Sequence, residues 1–168
     1  MDIYNCTVPV FIKYLRHIEA WLDKAVAHAE RKKFDPEVFM HARLAPDQFH
    51  FIRQVTGACD TAKWAAAKLA GQQGPSHPDT ETTLAELRAR LKTVMDYLST
   101  FNASQYAGAE ERRIQHAWME GKSVRGSNYV VEYALPNFYF HVTCAYEILR
   151  HNGVDVGKMD FLGHVSLE

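Results

Sequence analysis

The sequence predicts an all-α protein, an up-and-down four-helix bundle with a short β-hairpin or irregular insert before the last helix. Three observations support this fold class. Apolar residues recur every three or four positions over four long stretches. Segments rich in glycine and proline separate some of these stretches, and connections of this kind suit antiparallel neighbours in a bundle. The length of 168 residues predicts a single domain, residues 1–168.

The first helix is predicted from its start residues and from one apolar stripe. It begins at Thr7-Val8-Pro9, where threonine can cap the helix and proline can occupy the first turn, and it runs to about Lys33. The stripe consists of Val8, Phe11, Leu15, Ile18, Leu22, Ala25 and Ala29. A second, polar stripe of His17, Trp21, Lys24 and His28 is predicted to be exposed or to lie at a subunit contact.

The second long helix follows a short helical piece over residues 35–43. We expect it to begin at Pro46-Asp47 and to end at Gly71, a residue type that favours helix ends. Its apolar face consists of Ile52, Val55, Cys59, Ala62, Ala66 and Leu69. The stretch GQQGPSHPDT that follows has two glycines and two prolines, which predicts a loop.

The third helix is predicted to begin at a cap on Thr80 or Thr82 and to end near Phe101. Glu86 and Arg90 are four residues apart, as in an exposed ion pair on the surface of a helix. Beyond this helix, residues 103–126 lose the helical period. Alternating residues and a turn at Gly121 predict a short hairpin there.

The last helical region is predicted to be interrupted at Leu135-Pro136, because proline disfavours helix interiors. A fresh helix then runs from Pro136 to Gly153. Near the end of the chain, Phe161-Leu162 are expected to dock as an apolar anchor.

Composition and charge exclude several functional classes. Hydrophobic residues make up 47% of the chain and the formal net charge is −1, so no basic face for nucleic acid is predicted. No uncharged stretch of about 18 residues could span a membrane, and the N-terminus lacks the cationic region of a signal peptide. Cys6, Cys59 and Cys144 are three cysteines at wide spacings, which predicts free thiols and a cytoplasmic location.

Asn137 and His141 are the first candidates for a functional site. On a wheel of about 100° per residue they share a face with Cys144, Ala145 and Ile148. A polar pair on the inward face of a bundle needs hydrogen-bond partners. The pair is therefore either a satisfied structural contact or part of a pocket in the bundle core. An amide beside an imidazole is a poor pair of metal ligands.

The second helix offers partners for this pair. His50 is predicted on the outward side, and Gln54 lies near the same flank, from which it could still turn toward the bundle mouth. Asp60 borders the apolar face, where it could orient His141 or pair with Lys63. No HxxxH, HExxH or CxxC motif, phosphate-binding glycine loop or nucleophile elbow occurs.

Four segments carry a resemblance to a known family: RLAPDQFHFIRQV, GACD, ALPNFYFHVTCAYEILRHNGV and GKMDFLG. They resemble the bacterial "domain of unknown function 1993" family, and the resemblance spans essentially the whole chain. That family is grouped with the DinB-like helical-bundle proteins. The resemblance implies a DinB-like four-helix bundle, a homodimer, and a site at one end or in the middle of the bundle.

The resemblance also implies where a metal site would lie. Many DinB-like proteins bind a divalent metal through three histidines, one on the second helix and two on the last, and some are thiol-dependent transferases or isomerases. By position, His141 matches the second histidine of the last helix and Asn137 the first. The remaining ligand falls on Gln54 or, less closely, on His50. One imidazole is retained, which implies an incomplete site for Zn, Ni or Mn.

Three hypotheses follow for function. In the first, a pocket around Gln54, Asp60, Asn137 and His141 binds a small organic ligand or a weakly held divalent metal, and His141 is the general acid or base of any reaction. Asn137 would orient His141 or the ligand, and Asp60 would fix the tautomer of the imidazole. The second hypothesis is a metal-dependent thiol transferase that uses His141 and His50 as ligands. The third is a non-catalytic structural or interaction protein with a buried Asn137–His141 pair.

Overall fold

Four long helices pack around one hydrophobic core in the computed structural model, which describes residues 2–165 and 167. In chain order the elements are α1 (Ile3–Lys32), α2 (Phe51–Leu69), α3 (Leu84–Leu98), β1 (Arg113–Ile114), β2 (Val124–Arg125), α4 (Gly126–Tyr129), α5 (Leu135–His151) and α6 (Lys158–Leu162). Short 3-10 helices cover Pro36–His41, Ala103–Tyr106 and Ala117–Met119. The predicted fold class is confirmed: α1, α2, α3 and α5 form the bundle, and a small hairpin precedes α5.

None of the helices in the described residues has the length and apolar character needed to cross a membrane.

The first helix begins earlier than predicted. Asp2 caps α1, and its carboxylate accepts a hydrogen bond from the backbone N–H of Asn5 at 3.0 Å. Pro9 therefore lies inside the helix, where it cannot donate to the carbonyl of Asn5. Both residues face solvent, so water can bind the carbonyl that lacks its usual helical donor.

The second helix begins later than predicted, at Phe51, because the preceding segment closes into a loop. The N–H of Phe51 donates to the carbonyl of Ala42 at 2.9 Å, which ties the two ends of this loop together. His50 is the N-cap of α2 rather than a member of its first turn, and it is half-buried. Because α2 contacts α1, α3 and α5, it is buried on most sides, and the outward flank predicted for it is largely covered.

The third helix begins at a cap on Thr83, one residue beyond the predicted range. The Glu86 carboxylate accepts hydrogen bonds from the backbone N–H groups of Thr82 and Thr83, which completes a capping box. The predicted exposed pair between Glu86 and Arg90 is wrong. Arg90 is only 4% exposed and its guanidinium turns toward acidic partners on α2 and the preceding loop.

The predicted hairpin is present as a minimal antiparallel pair, with Arg113 opposite Arg125 and Ile114 opposite Val124. Gly126 follows directly, and a Cβ at this position would overlap the carbonyl oxygen of Ala109. The chain therefore leaves β2 through a close approach between the backbones of Gly126 and Ala109, which only glycine allows.

The predicted interruption at Leu135-Pro136 is wrong, because the chain stays helical from Gly126 to His151. A π-helical turn over Val130–Ala134 joins α4 to α5 just before Pro136. Proline cannot donate to the carbonyl four residues earlier and would clash with it in a regular α-helix. The wider π turn changes the backbone pairing there, so the helix continues through the proline.

The end of the chain covers part of the polar stripe of α1, so the prediction that this stripe is exposed is wrong for Trp21 and His28, whereas Lys24 is exposed. Trp21 is 1% exposed and His28 is 9% exposed. The Trp21 ring stacks on Phe161 at 5.9 Å between ring centroids, and its Nε1 donates to the carbonyl of Asp160 at 3.2 Å. Phe161 acts as the predicted apolar anchor.

Candidate functional site

The candidate site lies between α2 and α5, where a buried amide holds an imidazole. Gln54 is fully buried, and its Nε2 donates to the carbonyl of Phe49 at 3.0 Å. This bond turns Oε1 of Gln54 toward Nδ1 of His141, 2.9 Å away. An amide oxygen only accepts, so Nδ1 carries the hydrogen and Nε2 of the neutral ring keeps its lone pair.

Gly57 allows the His141 ring to approach the backbone of α2. A Cβ at Gly57 would lie 2.8 to 2.9 Å from three atoms of that ring, closer than side chains pack. The residue was not among the predicted site residues. A glycine within an otherwise alanine-rich helix was the available signal, since such a glycine often marks a close approach.

Asn137 makes a second polar contact between the same two helices. Its Nδ2 donates to Oγ1 of Thr61 at 2.7 Å, and the Thr61 hydroxyl donates to the carbonyl of Gly57 at 2.8 Å. Asn137 and His141 are both half-buried, at the edge of the core rather than in its centre. Thr61 was also missed, because threonine in a helix commonly bonds its own backbone.

Burial keeps the His141 imidazole neutral. Desolvation is the main cause that lowers the pKa of His141 below its ordinary value, and the positive charge of Arg53 acts in the same direction. The charge of Asp60 opposes them more weakly. Near neutral pH the site therefore presents an uncharged ring with a free acceptor nitrogen.

Asp60 is committed to cations rather than to His141. Its Oδ1 lies 2.7 Å from Nζ of Lys63 and 2.8 Å from Nη2 of Arg90. Lys63 is 1% exposed and Arg90 is 4% exposed, so two buried cations share this carboxylate, and Glu81 supplies a second negative charge to Arg90. Gln54, and not Asp60, sets the tautomer of His141.

The donor set between α2 and α5 does not fit a tightly held divalent metal. Gln54 Oε1 accepts from His141, and the Asn137 amide donates to Thr61. His50 accepts from the N–H of Arg53 as a helix cap. Over residues 2–165 and 167 no group of three or more His, Cys, Asp or Glu side chains is arranged to hold a metal ion. One imidazole with amide neighbours is a weak ligand set.

Comparison with known proteins assigns the family. The model of the domain of unknown function DUF1993 matches residues 3–162. The chain belongs to the DUF1993 family. None of the curated proteins matches this DUF1993 chain.

A solved structure supports the same relationship. The crystal structure of a DinB family member protein from Shewanella denitrificans is 49% identical to the DUF1993 chain, with a TM-score of 0.94. The match covers 98% of the DUF1993 chain and 94% of the other chain. Both parts of the resemblance that the motif segments predicted, the family and its DinB-like grouping, are confirmed.

Proposed function

We propose that this DUF1993 protein binds a small organic ligand between α2 and α5, with Nε2 of His141 as hydrogen-bond acceptor. The observation that carries the proposal is the 2.9 Å contact between Gln54 Oε1 and His141 Nδ1. It places the proton on Nδ1 and leaves Nε2 free in the neutral ring. In a reaction, the same nitrogen would be the general base.

The surroundings of His141 support a ligand that has both a polar and an apolar part. A hydroxyl or amine would donate to Nε2, and the side-chain oxygen of Asn137 offers a second acceptor because its Nδ2 is already bound. The Phe140 ring is 54% exposed and lies 5.4 Å from the His141 ring between centroids. It provides an apolar rim beside the imidazole.

A structural role is the second candidate, and a specific observation favours it. Both Asn137 and His141 bond to partners on α2, so each of the two side chains joins the helices without any ligand. The third candidate, a metal-dependent thiol transferase, would need ligands beyond one imidazole, and the chemistry of the surrounding amides does not supply them.

The test compares thermal unfolding of wild type, His141→Phe and His151→Phe with a panel of small alcohols, amines and carboxylic acids. His151 is exposed at the end of α5 and serves as the matched control. We expect at least one compound to raise the Tm of wild type and His151→Phe but not of His141→Phe. If no compound acts through His141 and His141→Phe is as stable as wild type or more so, the structural role is correct.

The same measurement tests the metal candidate. Zinc, nickel or manganese added to chelator-treated protein should change the Tm of wild type and of His141→Phe by the same amount. Stoichiometric binding of one of these ions, lost in His141→Phe, would support the metal-dependent candidate instead.

We further propose that the protein is a cytoplasmic homodimer. Phe49 and Phe140 are 56% and 54% exposed and adjoin Gln54 and His141, and exposed apolar side chains of this size support a contact between subunits. Cys6, Cys59 and Cys144 are free thiols, which supports a reducing compartment. Light scattering should give the mass of a dimer, and Phe140→Ser should shift it toward the monomer.

A further inference from the structure

A cavity of about 530 Å³ lies between the hairpin segment and the π turn, and it shares no lining residue with the α2–α5 site. One wall is aromatic and consists of Trp118, Tyr129 and Tyr133. The rim includes Glu120 and Glu132. The volume is in the range of sites that hold a small organic molecule.

The aromatic wall is a packed group of rings. Trp118 lies 5.2 Å from Tyr133 between ring centroids, and Tyr129 stacks on Tyr133 at 5.6 Å. His116 backs the group: it stacks on Trp118 at 5.9 Å, and its Nε2 lies 3.0 Å from the hydroxyl of Tyr129. The rings are therefore held in place before any ligand arrives, which reduces the ordering cost of binding.

Trp118 is 59% exposed although it belongs to this packed group. A large aromatic ring left open to water on the wall of a cavity is a feature of binding sites rather than of stable cores. Its exposed surface supplies contact area that folding of the chain itself does not use.

The charges at the cavity favour a cation. Glu120 and Glu132 line it together with a single basic residue, Lys122, so the rim carries a net negative charge. Within the described part of the chain, none of these three side chains forms an ion pair. Burial lowers the pKa of His116 to about 4, so the imidazole behind the wall adds no positive charge near neutral pH.

We propose that this cavity binds a small organic cation, a quaternary or protonated amine with an apolar body. The negative faces of the Trp118 and Tyr133 rings attract such a cation, with the buried Tyr129 ring packed behind them, and methylated ammonium groups are commonly recognised by aromatic walls. The two carboxylates add a longer-range attraction that an uncharged molecule of the same shape does not feel.

The probe pair for the test is choline and 3,3-dimethylbutan-1-ol, which share a shape but differ in charge. Titrations would follow the indole N–H signal of Trp118 by NMR, assigned with Trp118→Leu. We expect a saturable shift with choline. The neutral alcohol should bind at least about fivefold more weakly than choline. Equal affinity for both probes, or no saturable shift with choline up to tens of millimolar, would overturn the proposal.

Variants separate the aromatic wall from the carboxylates. Trp118→Leu should weaken choline binding by roughly fivefold to tenfold, and Glu132→Gln by about twofold to fivefold, with a smaller effect in high salt. Glu147→Gln, an exposed carboxylate on α5 that does not line the cavity, is the matched control and should bind as wild type. Trp118, Glu132 and Glu147 are exposed, so all three variants should fold. Unchanged choline affinity in Trp118→Leu would contradict the assignment of the site.

Discussion

Gly57 and His141 show how one missing Cβ shapes the candidate site. The ring occupies the space that a side chain at position 57 would need, with 2.8 Å as the shortest separation from the hypothetical Cβ. Glycine at position 57 lowers the stability of the helix by about 1 kcal/mol relative to alanine. The contact between His141 and Gln54 offsets part of this loss.

A double-mutant cycle tests this relationship. Gly57→Ala alone should lower the free energy of unfolding by about 1 kcal/mol, because overpacking against His141 outweighs the gain in helix propensity. In a His141→Ala background the same change should raise it by roughly 0.5 to 1 kcal/mol, since the space is then open. Urea unfolding of the four proteins measures both values. The same sign in both backgrounds would show that the ring does not require Gly57.

Gln54 controls the protonation of His141. Gln54→Glu places a carboxylate beside Nδ1, which favours the charged imidazolium. We expect the pKa of His141, which burial now lowers, to rise in this variant. NMR titration of the imidazole signals measures the change, and Gln115→Glu at an exposed position of the hairpin segment is the control. An unaltered titration of His141 would mean that Gln54 does not face Nδ1 in solution.

Sequence reasoning reached part of this site. The wheel and the motif segments together selected Gln54, Asn137 and His141, and the structure places these three side chains between the same two helices. Thr61 and Gly57 were missed, because their roles depend on the distance between α2 and α5, which periodicity does not contain. The wheel put Gln54 on the outward flank, since it treated α2 as a helix with one buried face.

At the scale of elements, an ionic cluster joins α2, α3 and the loop between them. Asp60 on α2 contacts Lys63 and Arg90, and Arg90 also contacts Glu81 in the loop at 2.9 Å. Nζ of Lys63 donates to Nδ1 of His77 at 2.8 Å, which holds the same loop from the other side. The buried cations of Lys63 and Arg90 therefore hold the loop between α2 and α3 in place.

Asp60→Asn tests the weight of this cluster. The change removes the carboxylate that Lys63 and Arg90 share, and it leaves buried Lys63 without an anionic partner. We expect the free energy of unfolding to fall by about 3 kcal/mol, the usual cost of leaving a buried charge uncompensated. Asp23→Asn removes a mostly exposed pair with Arg88 and should cost less than about 0.5 kcal/mol. Equal small losses in urea unfolding would show that Asp60 makes only a surface pair.

The four long helices were predictable because each carries an apolar stripe of helical period, and their ends were less so. The first helix begins after Asp2 rather than near Pro9. It tolerates this proline because the carbonyl that loses its hydrogen bond faces solvent. The π turn over Val130–Ala134 lets α5 pass through Pro136 without a break. At each proline, the course of the helix depends on how the backbone carbonyl that loses its donor is accommodated. The pattern of apolar residues contains no information about that carbonyl.

At the scale of the whole molecule, half-buried histidines make stability depend on pH. Burial is the main cause that lowers the pKa values of His77, His116 and His141, with that of His116 near 4. In the unfolded chain these groups titrate near 6.5, so between about pH 6.5 and 4 the unfolded state binds more protons. Their contribution to stability is complete above about pH 6.5 and is lost as the pH falls below it, for His116 until the pH reaches about 4.

His116→Gln isolates one of these contributions. As the pH falls from about 7 to about 4.5, the free energy of unfolding of the variant should rise relative to that of wild type. The reason is that wild type loses stability in this range because folding keeps the His116 imidazole desolvated and neutral. Urea unfolding at both pH values gives the difference, and carboxylates common to both proteins cancel. A difference between the two proteins that does not change with pH would contradict the titration of His116 in this range.

The packing of Trp21 against the last helix has a consequence for synthesis on the ribosome. The hydrogen bond from Trp21 to Asp160 closes a span of 139 residues. Contacts of such high sequence separation form late, and here Asp160 is translated 139 residues after Trp21. We expect nascent chains stalled before residue 158 to leave Trp21 in contact with water, with a red-shifted emission that moves to the blue only when α6 has emerged from the ribosome.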